Sequence, residues 1–278
     1  MQIAVTGASG FIGRALAERL RAAGHTVAPL HVRQLGAVPG GDAVVHLAGE
    51  TVVQRWTAAA KKRIRASRVD GTIRLVNALA SVQPRPAVFI SASAIGIYGP
   101  RGDEILTESS APGADFLAEV CVEWEKAAGR AAQLGMRVVT LRGGIVLGRD
   151  GGVLARLLPL FRRGFGGRLG NGRQWMSWIH REDLLDLIQF ALRTPELAGA
   201  VNATAPGPVR NADLTATLAR LLHRPAFLAV PALALRLAYG EMAGVLLGSQ
   251  RVLPQAARQA GFEFRYPTLE GALGSLLA

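Results

Sequence analysis

Residues 2–13 read Gln-Ile-Ala-Val-Thr-Gly-Ala-Ser-Gly-Phe-Ile-Gly, and this stretch predicts how the rest of the chain is organised. The apolar run 3–5 is typical of a buried strand, and from Ile12 onward apolar residues recur at the spacing of one helix face. Between the two lie glycines at every third position, namely Gly7, Gly10 and Gly13. A strand, a glycine turn and a helix in this order place unpaired helix N–H groups where a pyrophosphate can bind. The stretch therefore predicts a dinucleotide site; a plain strand-to-helix turn is the alternative.

The residues that follow bear on which dinucleotide is bound. Rossmann folds that bind NAD place an Asp or Glu about 20 residues beyond the glycine loop, where it holds the ribose hydroxyls. No Asp or Glu occurs between Glu18 and Asp42, and His31 and Arg33 stand at that place instead. A cation there suits the 2′-phosphate of NADP(H), so we expect NADP(H) to be preferred over NAD(H). The alternative is that Arg33 is an ordinary loop arginine.

Further along the chain, short apolar runs alternate with helical patterns. The predicted strands cover 26–32, 42–48, 87–91, 137–141 and 201–203, and the predicted helices cover 58–79, 116–134, 153–161 and 183–192. Repeated alternation is typical of α/β proteins, so we expect a Rossmann-type, doubly wound parallel sheet with helices on both faces. We place this NAD(P)-binding domain at 1–225 and a small, mainly helical C-terminal lobe at 226–278.

Length and composition limit the class of protein. The chain has 278 residues, half of them hydrophobic, which suffices for one large α/β domain with or without a small appendage. The net charge of +12 favours anionic ligands, but the arginines are scattered, so we expect no specific nucleic-acid function. No metal-ligating constellation accompanies the single cysteine, Cys121, and we expect no metal site.

Two further features concern location and assembly. A single cysteine excludes an intrachain disulfide and the sequence begins directly with a strand, so we expect a cytoplasmic protein. The most apolar region, 225–248, is interrupted by Pro231, Arg236 and Glu241. A bilayer span needs about 20 nearly uninterrupted apolar residues, so we expect a buried helix pair and no membrane association. A dimer surface is the alternative, which leaves a homodimer open.

Several motifs resemble the extended branch of the short-chain dehydrogenase/reductase superfamily. They are Thr6-Gly7-Ala8-Ser9-Gly10-Phe11-Ile12-Gly13, His46-Leu47-Ala48, Val69-Asp70-Gly71-Thr72, Ser91-Ala92-Ser93 with Tyr98-Gly99, and Ile179-His180-Arg181-Glu182-Asp183-Leu184. The resemblance is closer to the atypical epimerase-family proteins, sometimes labelled sugar nucleotide epimerases or division-inhibitor homologues. It rests on Gly49-Glu50, Arg55-Trp56-Thr57, Asp115-Phe116-Leu117-Ala118-Glu119, residues 172–180 and Arg251-Val252-Leu253-Pro254.

This resemblance covers nearly the whole chain and implies a Rossmann-type fold with an NADP(H) or NAD(H) site. Together with the glycine loop and the residues after the second strand, it gives a set of expected cofactor-binding residues. The set is Thr6, Gly7, Ser9, Gly10, Phe11, Ile12, Gly13, His31, Arg33, Leu47, Ala48, Gly49 and Ser91. The resemblance leaves the substrate undefined.

The chain departs from the superfamily at the residues that carry its chemistry. The superfamily pairs a Tyr with a Lys four residues later, and the Lys lowers the pKa of the Tyr. No Lys stands at that spacing after any tyrosine of the chain, namely Tyr98, Tyr239 and Tyr266. On the helix that should carry the pair, either Leu117 and Cys121 or Phe116 and Val120 take the two places. Met176-Ser177 also replace the arginine that sugar-nucleotide epimerases carry, so we do not expect UDP-sugar chemistry.

The leading hypothesis is an NADP(H)-dependent oxidoreductase of atypical design that acts on a small molecule. Its pocket would lie between the carboxyl edge of the sheet and the C-terminal lobe, lined by Trp56, Trp175, Trp178 and His180. Trp56 and Trp178 could equally be core residues, and His180 a structural hydrogen-bonding group.

Two residues are catalytic candidates. Ser93 matches the Ser of the superfamily and would hydrogen-bond a substrate oxygen, and Tyr98 would donate a proton or simply pack in its turn. Glu119 is a weaker candidate, since a solvated helix residue would look the same. The rival hypothesis, favoured by the missing Tyr–Lys pair, is a non-catalytic NADP(H)-binding protein that regulates or senses redox state through protein contacts.

Overall fold

The structure of this chain is a computed structural model that describes residues 1–35 and 38–278. Within these ranges the strands are β1 Gln2–Thr6, β2 Thr26–Leu30, β3 Ala43–His46, β4 Val88–Ala94, β5 Ile105–Leu106, β6 Arg137–Gly143, β7 Ile145–Gly148, β8 Gly167–Leu169, β9 Trp175–Met176, β10 Trp178–His180, β11 Gly199–Ala203, β12 Val209–Arg210, β13 Leu228–Val230 and β14 Arg251–Val252. The α-helices are α1 Phe11–Ala22, α2 Ala58–Leu79, α3 Phe116–Gly129, α4 Gly152–Arg162, α5 Arg181–Arg193, α6 Asn211–Leu222, α7 Ala232–Tyr239, α8 Ala243–Leu247, α9 Gln255–Gln259 and α10 Leu269–Leu277.

Six strands form one parallel sheet in the order β11-β6-β4-β3-β1-β2. The chain runs from β1 outward to β2, returns to β3 on the other side of β1, and continues from there to β11. This reversal makes the carboxyl ends of β1 and β3 a topological switch point, which is where open α/β sheets bind ligands. The predicted α/β, Rossmann-type, doubly wound sheet is confirmed.

Side chains of the central strands alternate between two cores. Ile3 and Val5 of β1 pack with α1 and α5, whereas Ala4 between them packs with α2 and α3. Successive side chains of a strand point to opposite faces, so a sheet covered on both sides needs apolar residues at every position. This explains why the strands are continuous apolar runs in the sequence.

The second strand differs from its predicted bounds at one end. β2 stops at Leu30, two residues short of the predicted end, because the chain turns into a 3₁₀ helix at Val32–Gln34. It also contains Pro29, which cannot donate a ladder hydrogen bond. β2 is an edge strand of the sheet, so one of its sides has no partner strand and a proline is tolerated.

The C-terminal residues build a second, smaller layer beside the sheet. Helices α4, α6 and α10 share a core with Trp178, and β13 pairs with β8 in parallel. The domain boundary at 225/226 stays a prediction. The expected buried helix pair in 225–248 is wrong for α7, because its residues Leu233 and Leu237 are 67% and 68% exposed. Among helices in the described ranges, none is long and apolar enough to cross a bilayer.

Candidate functional site

The glycine loop connects β1 to α1, and glycine is needed at each of its three positions for a different physical reason. Gly7 has φ +69°, a left-handed conformation that side chains disfavour. A Cβ at Gly13 would lie only 2.1 Å from the carbonyl oxygen of Gly7, so this glycine lets the helix pack against the turn. Gly10 precedes α1 with extended backbone and no side-chain cap, which leaves the first N–H groups of the helix for a ligand.

A buried network below the loop fixes the end of β1. The Thr6 hydroxyl lies 2.6 Å from His46 Nδ1 and accepts hydrogen bonds from the backbone N–H groups of Leu47 and Ala48. On the other side of the ring, His46 Nε2 lies 2.9 Å from Thr72 Oγ1, whose hydroxyl donates to the Arg68 carbonyl. Thr72 can therefore only accept from Nε2–H, and Thr6 donates to Nδ1. The imidazole is neutral, and burial lowers the His46 pKa to about 4.

In this network the side chain of Thr6, one of the expected cofactor residues, is fully buried and hydrogen-bonded within the protein. Three other expected cofactor residues also turn their side chains away from the loop. The Phe11 ring fills the space left by Gly148 and Gly151, Ile12 packs on the sheet core, and the buried Ser91 hydroxyl donates to Ala92. Of these residues, Phe11 and Ile12 can contribute their N–H groups at the start of α1.

A groove with a volume of about 740 Å³ runs from the glycine loop across the ends of β2 and β3; we call it the dinucleotide groove. Eight of the expected cofactor residues line it, and the structure thus brings them to one site: Gly7, Ser9, Gly10, His31, Arg33, Leu47, Ala48 and Gly49. Two arginines of α2, Arg63 and Arg74, line it as well. Three arginines and one histidine thus line the same groove, which suits an anionic ligand.

One carboxylate lies among these cations. Glu50 Oε2 is 3.4 Å from an Arg33 nitrogen, and Glu50 Oε1 is 3.9 Å from Arg63 Nε. The side chain of Arg33 is 80% exposed, so its ion pair with Glu50 is weak and a stronger anion can replace it. The Arg33 guanidinium therefore lies at the mouth of the groove, available to a ligand phosphate.

Sequence reasoning missed Arg63, Arg74 and Glu50. The sequence analysis treats the arginines as scattered, yet Arg63, Ser67 and Arg74 are spaced four and seven residues apart. That spacing puts them on one face of α2, the face that borders the groove. Helical periodicity applied to the arginines, and not to the apolar residues alone, could have found two of the three.

The two catalytic candidates belong to a largely buried charged network. Ser93 donates to Glu125 Oε1 at 2.7 Å, and Arg142 binds both oxygens of that carboxylate, at 2.8 and 2.9 Å. Arg142 also donates to the Tyr98 hydroxyl, which in turn donates to Asn202 Oδ1 at 2.6 Å. The hydroxyl protons of Ser93 and Tyr98 are thus directed at acceptors inside the protein, and burial raises the pKa of Tyr98.

Leu117 and Cys121 are the pair of α3 residues that faces the segment after β4. A Cβ built on Gly96 would lie 3.4 Å from Leu117 Cβ and 4.0 Å from the Cys121 sulfur. Val120 is fully buried, and the Phe116 ring stacks edge-on against Trp56 at 5.2 Å between centroids. Burial raises the Cys121 pKa to about 12, so the thiol stays protonated near neutral pH. Glu119 is exposed on the same helix.

A second cavity of about 270 Å³ opens in front of Leu117; we call it the Trp56 pocket. Its walls come from the segment after β4, the start of α3 and residues 241–250 of the C-terminal region. It therefore lies between the carboxyl edge of the sheet and the C-terminal lobe, where the sequence places the substrate.

Of the four residues expected to line this pocket, Trp56 does so and the other three lie elsewhere. Trp178 is fully buried in the second core, where its indole N–H donates to Gly207. His180 caps α5 by accepting from the Glu182 N–H and packs on Tyr266, with burial lowering its pKa to about 4. The guanidinium groups of Arg210 and Arg251 both lie over the Trp175 ring, 4.1 and 4.6 Å from its centroid. Core packing, helix capping and cation–π stacking, respectively, explain their positions.

Comparison with known proteins gives a consistent result. The profile of the NAD dependent epimerase/dehydratase family matches residues 3–203, and that of a domain of unknown function (DUF1731) matches residues 230–276. The chloroplastic epimerase family protein SDR39U1 homolog of Arabidopsis thaliana is 41% identical over 302 residues, covering 100% of this chain and 87% of the relative.

Two further similarities extend over both chains. An epimerase family protein of Mycobacterium bovis is 44% identical over 292 residues, covering 98% of this chain and 96% of the relative. The crystal structure of human epimerase family protein SDR39U1 (isoform 2) with NADPH superposes with a TM-score of 0.93 at 31% identity, covering 100% of this chain and 99% of the human one.

Proposed function

This chain belongs to the NAD-dependent epimerase/dehydratase family, and from that premise we propose that it is an NADP(H)-dependent oxidoreductase without a Tyr–Lys pair. The observation that carries the proposal is the cationic lining of the dinucleotide groove by Arg33, Arg63 and Arg74. The 2′-phosphate is the group that distinguishes NADP(H) from NAD(H), and arginines at the end of the second strand are suited to hold it. The similar human protein has a structure with NADPH, which supports the same choice.

The residues of the groove fit a dinucleotide. The uncapped start of α1 offers N–H groups and the positive end of a helix dipole to a pyrophosphate. Leu47, Ala48 and Gly49 form a wall without charged side chains, and a Cβ at Gly7 would lie 3.0 Å from the backbone of that wall. Arg33 is the residue to which we assign the 2′-phosphate, with Arg63 and Arg74 adding positive potential.

NADPH held by the residues of this groove would supply a hydride for reduction of an electrophilic carbon of a substrate. The residues of this chain would bind and orient both molecules, but they offer little acid–base catalysis. Leu117 and the protonated Cys121, which face the segment after β4, are the pair that we assign to the two places of Tyr and Lys, and Ser93 donates its hydrogen bond to Glu125. A placed general acid contributes about 10²–10⁴-fold, so we expect slow turnover on simple ketones.

A specific observation favours a second candidate function. The hydroxyls of Ser93 and Tyr98 are both held by internal acceptors, so neither resembles a group prepared to give a proton to a substrate. A protein that binds NADP(H) and acts through protein contacts would need no such group.

In either case the single cysteine suits a reducing compartment, and we propose a cytoplasmic location.

Two measurements test the proposal. Fluorescence titration with NADPH and NADH should show tighter binding of NADPH, and equal affinities would contradict the cofactor assignment. Oxidation of NADPH should then be followed with a panel of aldehydes, ketones and quinones under single-turnover conditions. Hydride transfer to any of them supports the oxidoreductase, whereas tight NADPH binding without transfer to any member supports the non-catalytic candidate.

A further inference from the structure

We propose that the Trp56 pocket takes a small, uncharged and largely apolar molecule, and that a sugar nucleotide is not its ligand. The inference deepens the proposed function, since it names the chemical class of the substrate at the site beside Leu117. It is carried by the side chains that line the pocket, by the state of its charged groups and by its volume.

Apolar side chains form most of the wall. They are contributed by Trp56, Pro100, Phe116, Leu117 and Val245. Glycines form much of the remaining wall, at 96, 99, 244 and 248, so the cavity is bordered there by backbone without side chains. A cavity of about 270 Å³ is slightly smaller than the range of roughly 300–1,000 Å³ typical of pockets for drug-sized ligands, and it would bury a compact hydrophobic molecule well.

The charges around the pocket argue against an anionic substrate. The chain carries 32 Lys and Arg residues, yet among the residues that the structure describes, none of those lining this pocket is one of them. Lys61 lies behind the Phe116 ring, 5.1 Å from its centroid, and forms an ion pair with Glu241. A diphosphate in this pocket would therefore lose water without gaining a cationic partner, which is costly.

The polar side chains of the lining, Asp115, Glu241 and Gln250, are already bound within the protein, Glu241 through its ion pair with Lys61. Asp115 is the N-cap of α3 and accepts from the Ala118 N–H, so the start of the helix compensates its charge. The side-chain amide of Gln250 donates to the carbonyls of Ile95 and Gly99. These contacts make the pocket a preformed apolar site, which needs no rearrangement to accept a neutral ligand.

The test compares two aromatic probes of nearly equal shape and different charge. Binding of 2-naphthamide and of 2-naphthoate is measured by titration calorimetry, with and without saturating NADPH, and UDP-glucose is titrated in parallel. We expect the amide to bind at least tenfold more tightly than the carboxylate, and UDP-glucose not to bind. Equal or tighter binding of naphthoate or UDP-glucose, or no binding of the amide, would overturn the proposal.

A pair of variants shows whether the probe sits in the Trp56 pocket. Val245→Arg adds a cation to the pocket wall, whereas Leu233→Arg adds one at an exposed α7 position that does not line it. We expect Val245→Arg to strengthen naphthoate binding and weaken naphthamide binding several-fold, with Leu233→Arg unchanged. Identical behaviour of the two variants would contradict the assignment.

The same titrations separate this inference from the proposed function. A protein that binds naphthamide but not NADPH refutes the cofactor proposal and leaves the pocket assignment standing. A protein that binds NADPH but discriminates against naphthamide refutes the pocket assignment alone.

Discussion

The dinucleotide groove and the Trp56 pocket lie along the same edge of the sheet, yet they differ in charge. The groove gathers Arg33, Arg63 and Arg74 around a turn of backbone N–H groups, whereas the pocket is walled by aromatic and aliphatic side chains. A net charge of +12 is therefore not spread evenly over the ligand sites. The difference supports our two proposals, that the groove binds an anionic cofactor and that the pocket selects its ligand by shape and apolar contact.

The largest expected effect comes from acid, through the neutral His46 below the groove. The pKa of His46 is about 4 in the folded protein and 6.5 in the unfolded chain. Between these two pH values the imidazole is therefore protonated in the unfolded chain and neutral in the folded protein. The free energy of unfolding should therefore fall between pH 6.5 and pH 4, by about 3 kcal/mol in full, and be independent of this group above pH 6.5. Urea unfolding at a series of pH values measures it.

The matched control is His46→Gln, which cannot titrate. Its stability should change less with pH over the same interval than that of the wild type. Parallel curves for the two proteins would show that the acid sensitivity arises elsewhere, for example at His180, whose pKa burial also lowers to about 4.

The next effect concerns the glycine loop, where a substitution should weaken ligand binding at the dinucleotide groove and not at the Trp56 pocket. In Gly13→Ala the new Cβ would lie 2.1 Å from the Gly7 carbonyl oxygen. A backbone carbonyl cannot rotate away as the end of a flexible side chain can. Overpacking of this kind costs about 1–3 kcal/mol, so we expect NADPH affinity to fall roughly ten- to a hundredfold and the melting temperature to drop. Naphthamide binding at the Trp56 pocket should persist.

Gly129→Ala provides a control for glycine replacement as such. Gly129 ends α3, and a Cβ there meets nothing within 4 Å, so alanine should leave binding unchanged and stability equal or slightly higher. If Gly13→Ala behaves like Gly129→Ala, the close packing of α1 on its turn has no bearing on the cofactor.

Arg33→Ala sharpens the assignment of the phosphate. A charge-assisted hydrogen bond is worth about 1.5–3 kcal/mol, but Arg33 is largely exposed and solvent reduces its share. We expect NADPH affinity to fall roughly five- to tenfold while NADH affinity stays the same. Arg193→Ala, at an exposed position of α5 outside the groove, should change neither affinity. Equal losses for NADPH and NADH would place the phosphate on another side chain.

The smallest effect is expected from Glu50→Gln. The substitution frees Arg33 and Arg63 from their exposed ion pairs, each worth about 0.2–1 kcal/mol, so NADPH affinity should rise roughly two- to fivefold. The gain should shrink at high salt, where such pairs are screened. A fall in NADH affinity alone would instead show that Glu50 holds a ribose hydroxyl.

The sequence predicted the fold well because the local chemistry of each element agrees with its place. The continuous apolar runs indicate strands buried on both faces, and the spacing of Gly7, Gly10 and Gly13 indicates a turn that side chains would block. The position of Pro29 became intelligible only from the strand order, which places β2 at the edge. Strand order is a property of long-range contacts and leaves no mark in a local pattern.

The candidate site was predicted in part. The backbone loop and Arg33 were found because they follow a strand at fixed distances, whereas Trp175, Trp178 and His180 were grouped with Trp56 on their residue types alone. Burial decides between a pocket tryptophan and a core tryptophan, and residue type does not report burial. Likewise, Glu125 and Arg142 gave no sequence signal, although together they hold Ser93 and Tyr98 in place.

The two ligand sites also differ in how far apart their walls lie along the chain. All residues that line the dinucleotide groove fall within 7–74, whereas the Trp56 pocket joins Trp56 to Gln250. During synthesis from the N-terminus, the residues of the groove are made long before the last residues that line the pocket. Bringing the walls of the pocket together also has the greater entropic cost of loop closure, because they are further apart along the chain. Under the two proposals, the residues that recognise the cofactor all come from 7–74, whereas the pocket for the second ligand also needs residues from 241–250.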